Sequence, residues 1–322
     1  MGSTYILRKG KSMLADLKDG LAGNFTGTSY WLDPTNGDDG NDGSAPDKAV
    51  KTLPVAYALL ANGKNDVLYY IPGTSSISLA AEFVWAKSYT HFVGVCAPVF
   101  TGQRARIFAT AGDLDLDPLI LISGSGCHWE NIRVFLGVDD AQALKAVKVT
   151  GNYNSFINCE FAAGGHATCA VDGAASLMID GGGENYFGHC SFGITTIDQG
   201  DGVAALLLDT NAKRNTFEDC LFKLRASNAG AMLVEVADAT GVEDFHIFKD
   251  CMFIQSSVNQ AVSLTAAFGI PVSVATFARM FMKGCIGAGF AKWDANDRGI
   301  LYGDMNVVTG ADTSGVAKEM VT

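Results

Sequence analysis

A cysteine returns five times at a near-constant interval: Cys159, Cys190, Cys220, Cys251 and Cys285, at steps of 31, 30, 31 and 34 residues. Each sits in the same phrase. The chain reads Asn154-Ser-Phe156-Ile-Asn-Cys159-Glu-Phe161, then Asn185-Tyr-Phe187-Gly-His-Cys190-Ser-Phe192, then Asn215-Thr-Phe217-Glu-Asp-Cys220-Leu-Phe222. His246-Ile-Phe248-Lys-Asp-Cys251-Met-Phe253 follows, and Met280-Phe-Met282-Lys-Gly-Cys285 is a worn copy. A fixed period of this length signals stacked repeats, because one such unit cannot bury its apolar face alone.

The spacing within the phrase predicts its geometry. Cys and the second Phe are two apart and share a face of one strand. The first Phe lies three before Cys, on the opposite face of a straight strand. A bend just before Cys turns both inward, and Asn158, His189, Asp219, Asp250 and Gly284 occupy that place. The expected ladder is therefore Phe156, Cys159, Phe161; Phe187, Cys190, Phe192; Phe217, Cys220, Phe222; Phe248, Cys251, Phe253; and Cys285. These cysteines read as small buried hydrophobes with reduced thiols. Metal binding is not expected, because the chain has no CxxC pair and no HExxH.

The chain has 322 residues, 48% apolar and 18% charged, with 37 Gly and 7 Pro. That composition describes a turn-rich folded chain with a large core. A net charge of −11 speaks against a nucleic-acid surface, and the one sequence-local basic cluster is Arg8-Lys9-Gly-Lys11 with Lys18 nearby. No apolar run is long enough to span a membrane. Met1 to Gly23 carries Asp16 and Asp19 and lacks the apolar centre of a signal peptide.

Four segments are expected. Residues 1–28 form an arm or cap, with Leu14, Leu17 and Leu21 on one face of a short helix. Residues 29–75 form an opening unit: strand Tyr30–Leu32, a turn region from Asp33 to Gly43, a helix over Ala49–Leu60, and strand Asp66–Ile71. Residues 76–305 form coils. Residues 306–322 form a tail or cap. Companion strands are expected at Leu144–Val149, Ser176–Ile179, Ala204–Leu208, Met232–Val236 and Ala261–Leu264. Trp129-Glu-Asn-Ile132-Arg-Val134 fits one coil earlier with Ile132 in the Cys place, and Tyr89–Val95 fits a coil before that.

The opening unit resembles the start of pectin-lyase-like right-handed β-helix proteins. Their pattern is an aromatic-flanked VDP, NG and NDG turn, a "TI--A" helix and a "D-I-V-PG" strand. Leu32-Asp33-Pro34, Asn36-Gly37, Asn41-Asp42-Gly43, Thr52-Leu53 with Ala56, and Asp66 with Ile71-Pro72-Gly73 carry the resemblance. Pro54 departs from it, at a helix start where Pro is tolerated. The resemblance implies an all-β, right-handed parallel β-helix, a single-stranded solenoid of roughly eight coils. It says little of activity, since such a fold hosts enzymes, adhesins and virion spikes alike.

Residues able to carry chemistry are few. Asp33, Asp38, Asp39 and Asp42 offer hard oxygens for Ca²⁺, but no bidentate Glu stands at calcium-loop distance. Asp180 and Asp209 follow corresponding strands, and Glu218, Asp219, Glu243 and Asp244 fall in turns. Lys249 and Lys283 share one repeat position with Glu218, which reads as an outward charge ladder. None of the five histidines pairs with another at metal spacing along the chain. No catalytic residue and no cofactor are assigned.

A β-helix with reduced core thiols and an N-terminal arm resembles bacteriophage virion proteins: capsid decorations, spikes and fibres made in the host cytoplasm. That resemblance implies a homo-oligomer, a trimer, contacting other capsid or tail proteins of the virion. Leu221, Met252 and Ile286, each just after a ladder Cys, are the expected subunit contact. The alternative is a polysaccharide lyase or hydrolase on the same fold.

Overall fold

The computed structural model describes residues 26–110, 112, 116–256, 262–271 and 279–295, with the backbone of 301–303 and 306–307. The arm expected over 1–28 lies almost wholly outside these residues, and the tail over 306–322 lies outside them but for one short strand.

Three parallel sheets run the length of the molecule. Sheet A has ten strands, sheet B nine and sheet C seven. The chain visits them in turn: Asp66–Tyr70 lies in A, Ile77–Leu79 in B and Phe83–Trp85 in C, before Thr90–Gly94 returns to A. Every strand pair is parallel to the strand one coil away, giving a right-handed parallel β-helix of about seven turns. A closed coil has no lateral edge, so only its two ends need covering.

The opening unit covers the first end. Strand Ser29–Leu32 pairs with Asp66–Tyr70. The helix is Leu53–Leu59, shorter than the apolar spacing suggests. Val50 makes a parallel bridge to Leu32, and the Asp39 carboxylate accepts from the Lys51 and Thr52 amides, so this stretch stays extended. Pro54 then sits in the first turn, where its missing N–H costs nothing. Leu53, Ala56 and Leu60 close the core over Leu32, Val50 and Leu68.

The phrase residues fill the interior. The first-Phe column continues from Trp129 through Phe156, Phe187, Phe217 and Phe248, in register between neighbouring strands of sheet A. The ring centroids of Phe156–Phe187, Phe187–Phe217 and Phe217–Phe248 are 4.7, 4.8 and 4.9 Å apart, each pair tilted by 7°. Strand spacing is ~4.8 Å, so ring thickness and coil rise match. Phe161, Phe192, Phe222 and Phe253 form the second column in sheet B. All eight rings are fully buried. Each is worth roughly 1.5–3 kcal/mol of apolar burial.

The bend before the Cys place is a left-handed residue in six successive coils. Asn131, Asn158, His189, Asp219 and Asp250 have φ of 57°, 50°, 54°, 53° and 53°, and Gly284 follows at 64°. Asn, Asp and Gly tolerate this region best. A second left-handed column precedes sheet A at Asn65, Tyr89, Gly126, Tyr153, Glu184 and Arg214. The four sheet A strands from His128–Glu130 to Thr216–Glu218 are thus only three residues long, because both their ends turn sharply.

An asparagine column seals the corner between sheets C and A. The Asn154, Asn185 and Asn215 side chains donate to the carbonyls of Gly124, Gly151 and Gly182. Their oxygens accept from the backbone amides of Cys127, Asn154 and Asn185, each one coil earlier. His246 ends the column, its Nδ1 accepting from the Asn215 amide at 3.3 Å. These bonds satisfy backbone groups that a tight buried turn would strand.

Four of the companion strands fall where expected in sheet C. The fifth does not: Phe268–Gly269 pairs with Met232–Val236, while Leu264 makes a single bridge to Phe290. The step from Cys251 to Cys285 is 34 residues, and the longer coil moves the apolar run that reaches the sheet.

Candidate functional site at the corner between sheets A and B

The outward face of sheet A alternates with its buried phenylalanines. Gly188, Glu218, Lys249 and Lys283 occupy one outward register position in successive coils. Glu218 accepts from Lys249 Nζ at 2.6 Å and from the Tyr186 hydroxyl at 2.9 Å. Hydrogen bonding and charge from Glu218 push Lys249 above the usual lysine range, so Lys249 stands protonated rather than ready as a base.

Beside this row runs the left-handed bend column. Asp219 and Asp250 are exposed at equivalent places in neighbouring coils. Partial burial, then Glu218, then Asp250 raise Asp219 above the ordinary carboxyl range. Carboxylates one coil apart, ~4.8 Å in strand spacing, fall near the separations used in glycoside hydrolysis. Glu218, Asp219 and Asp250 are therefore carboxylates that the fold gathers on one surface, and Asp180 with Asp209 are a second register pair, in sheet C.

A strap from Val95 to Arg104 covers the same corner toward the N-terminal end. Cys96 Sγ reaches the Asn131 carbonyl at 3.9 Å, Gln103 Nε2 donates to the Asn158 carbonyl at 2.8 Å, and Phe100 stacks on His189 at 4.4 Å and 22°. Three consecutive bends are thus held down by one loop, and Asp219 is the next bend beyond it. Periodicity could not reveal this strap, because it belongs to a single coil.

The ladder cysteines take no part in such a surface. All eight cysteines are free, and the five of the ladder are buried. Burial pushes the Cys159 and Cys220 thiols well up, away from the reactive thiolate. The four aspartates weighed for calcium each serve a turn. Asp33 accepts from the Thr35 and Asn36 amides, Asp38 from Gly40, Asp39 from Lys51 and Thr52, and Asp42 from Ser44. Among the described residues no three His, Cys, Asp or Glu side chains come together as a metal site.

Two groups escaped the sequence reading. His91 and His128, distant in sequence, are register partners in sheet A, and the His128 amide donates to His91 Nδ1 at 3.1 Å. Burial, then His128, push His91 down to about 4, so it is neutral at physiological pH. Glu235 lies on the outward face of sheet C in register with Leu207, and Leu207 with Met178. Burial, then Asp172, push it up to about 7. The signal for Glu235 was one acid in an otherwise apolar strand, Met232 to Val236.

Among the described residues, no helix is long and apolar enough to cross a membrane. No family profile matches the chain, and no curated protein matches it in sequence. Solved structures do match in shape. Pectate lyase Pel9A has a TM-score of 0.62 at 13% identity, covering 91% of this chain and 73% of its own. A rhamnogalacturonan lyase has a TM-score of 0.59 at 15% identity, covering 87% and 72%. The pectin methylesterase of Aspergillus niger has a TM-score of 0.55 at 14% identity, covering 92% and 95%. At these identities the likeness establishes the fold alone, the pectin-lyase-like right-handed parallel β-helix.

Proposed function

We propose that the chain is a structural protein of a bacteriophage particle, a decoration or spike, whose β-helices pack side by side as a trimer. The observation that supports this reading is the outer face of sheet B. Leu221, Met252 and Ile286 stand in register there, and Ile286 is 52% exposed. Ile254 and Ala288 continue the apolar surface one column over. Meanwhile several outward carboxylates are tied to a cation: Glu184 to Arg214, Asp180 to Lys148, Glu243 to Lys213 and Glu218 to Lys249. Charge ladders of this kind organise a rod and leave few groups for chemistry. Mass measurement in solution tests the assembly: a trimer is expected, a monomer at micromolar concentration overturns it. Met252→Lys should dissociate the trimer without unfolding the chain. Quantifying the chain in purified virions tests the location.

A second reading has its own support. Asp219 beside Asp250 and Glu218, on a fold shared with pectate lyase and pectin methylesterase, supports an enzyme acting on an acidic polysaccharide. Incubation with polygalacturonate and with its methyl ester tests it. Unsaturated ends, new reducing ends or released methanol, lost in Asp219→Asn, favour this reading; no product from either substrate removes it.

A further inference from the structure

The N-terminal half of the sheet B face differs sharply in character. Arg106, Arg133 and Glu160 follow one another in register down three neighbouring strands. Glu160 is buried, its side chain 4% exposed. It is held by Arg133 at 2.9 Å, by Lys223 Nζ at 2.9 Å from two coils away, and by the Gly102 amide at 2.7 Å. One carboxylate thus serves two cations. Arg106 and exposed Arg104 add two more, and neither makes an ion pair among the described residues. The Nε of Arg106 is buried without a hydrogen-bond partner. Burial, then Arg133 and Arg104, push Arg106 below the usual guanidinium range. The Arg133 guanidinium lies over the Phe135 ring, 5.3 Å from its centroid. The strap that covers the sheet A corner supplies Arg104 and Gly102, so one loop builds both features.

A chain of net charge −11 has concentrated four cations around one acid, at a place where a buried donor has nothing to donate to. A buried charged donor left unpaired is destabilising, and an oxyanion would satisfy it. We propose that Arg104, Arg106 and Arg133 form a binding site for an oxyanion, a phosphate or a carboxylate, on the outer face of sheet B. Arginine suits both groups, since its planar fork makes paired hydrogen bonds to either. Glu160 and Lys223 set the geometry: Glu160 anchors Arg133 through its Nε, one strand over from Arg106. The site lies apart from the carboxylates of the sheet A corner and does not depend on the oligomer proposed above.

Calorimetric titration of the full chain at low salt with inorganic phosphate and with glucuronate tests this proposal. Binding of at least one probe is expected, the tighter one identifying the source as free phosphate or an acidic sugar. Arg106→Gln should weaken it by about tenfold, roughly the loss of one charge-assisted contact. Arg104→Gln, an exposed change that leaves the core untouched, should weaken it several-fold. Lys249→Gln, on sheet A, should leave it unchanged, and none of the three should alter the mass of the assembly. Absence of binding by both probes at about 10 mM, or unaltered affinity in Arg106→Gln and Arg104→Gln, overturns the proposal.

Discussion

The sulfur of Cys220 lies 3.3 Å from the carbonyl oxygen of Phe187, one coil earlier. The relation recurs: Cys190 reaches Phe156 at 3.4 Å, Cys251 reaches Phe217 at 3.4 Å, and Cys285 reaches Phe248 at 3.4 Å. Each thiol is a small weak donor placed where the bend turns a carbonyl inward. The cysteine period is thus a record of coil stacking, with the thiol serving the backbone of its neighbour.

Truncating a ring of the stack should open a cavity that two neighbouring coils cannot close. Phe187→Ala is expected to cost about 3–5 kcal/mol, read as a lowered denaturation midpoint. Cys220→Ala should cost about 1 kcal/mol. In the native protein, a thiol reagent should modify Cys96 first, the one cysteine that is not buried; equal labelling of the ladder thiols would contradict the packing.

Asn185 satisfies three groups at once, accepting from the Asn154 amide and donating to the Gly151 carbonyl and Asn215 Oδ1. Asn185→Leu keeps the volume and strands the buried backbone partners. A loss of about 2–4 kcal/mol is expected, against less than about 1 kcal/mol for an exposed control such as Asp198→Asn.

His246 is fully buried and is pushed down from 6.5 to about 4 by burial, against the Ala212 backbone and the Asp244 charge, which favour its proton. Between these values the unfolded chain binds the extra proton and the folded chain does not. Stability is therefore intact above pH 6.5 and declines as pH falls toward 4, by on the order of 3 kcal/mol. His246→Asn extends the asparagine column and should flatten that decline; an unchanged pH profile of the melting temperature would refute this role.

Glu235 acts in the opposite direction. Its carboxyl is raised from 4.5 to about 7, so the folded chain holds a proton that the unfolded chain releases. Stability is present below pH 4.5 and lost as pH rises through 7. Glu235→Gln should stabilise the chain at pH 8 by about 1 kcal/mol, discounted because the side chain is only half-buried. The gain should vanish at pH 4. An equal gain at both pH values would assign the effect to packing instead.

Much of the architecture was legible because it repeats. The Phe and Cys columns, the bend before Cys and the opening strand each leave a mark on every coil or on one short local segment. The asparagine column was visible as the first letter of the phrase, but its role was not, since only stacking reveals which carbonyl each amide meets. The fifth companion strand was misplaced because a longer loop breaks the period. The pairing of His91 with His128 escaped because register, not sequence distance, brings them together.

By itself, the order of residues determined the stacking: an inward side chain recurring about every thirty residues can only meet its own copies, one coil rise away. Only the tertiary structure decided where the charges meet. Arg106, Arg133 and Glu160 share one repeat position, but Arg104 comes from the strap and Lys223 from two coils further on, and nothing periodic links those two to the rest. Their proximity follows from loop length and outward register, where water had removed the constraint that made the interior readable.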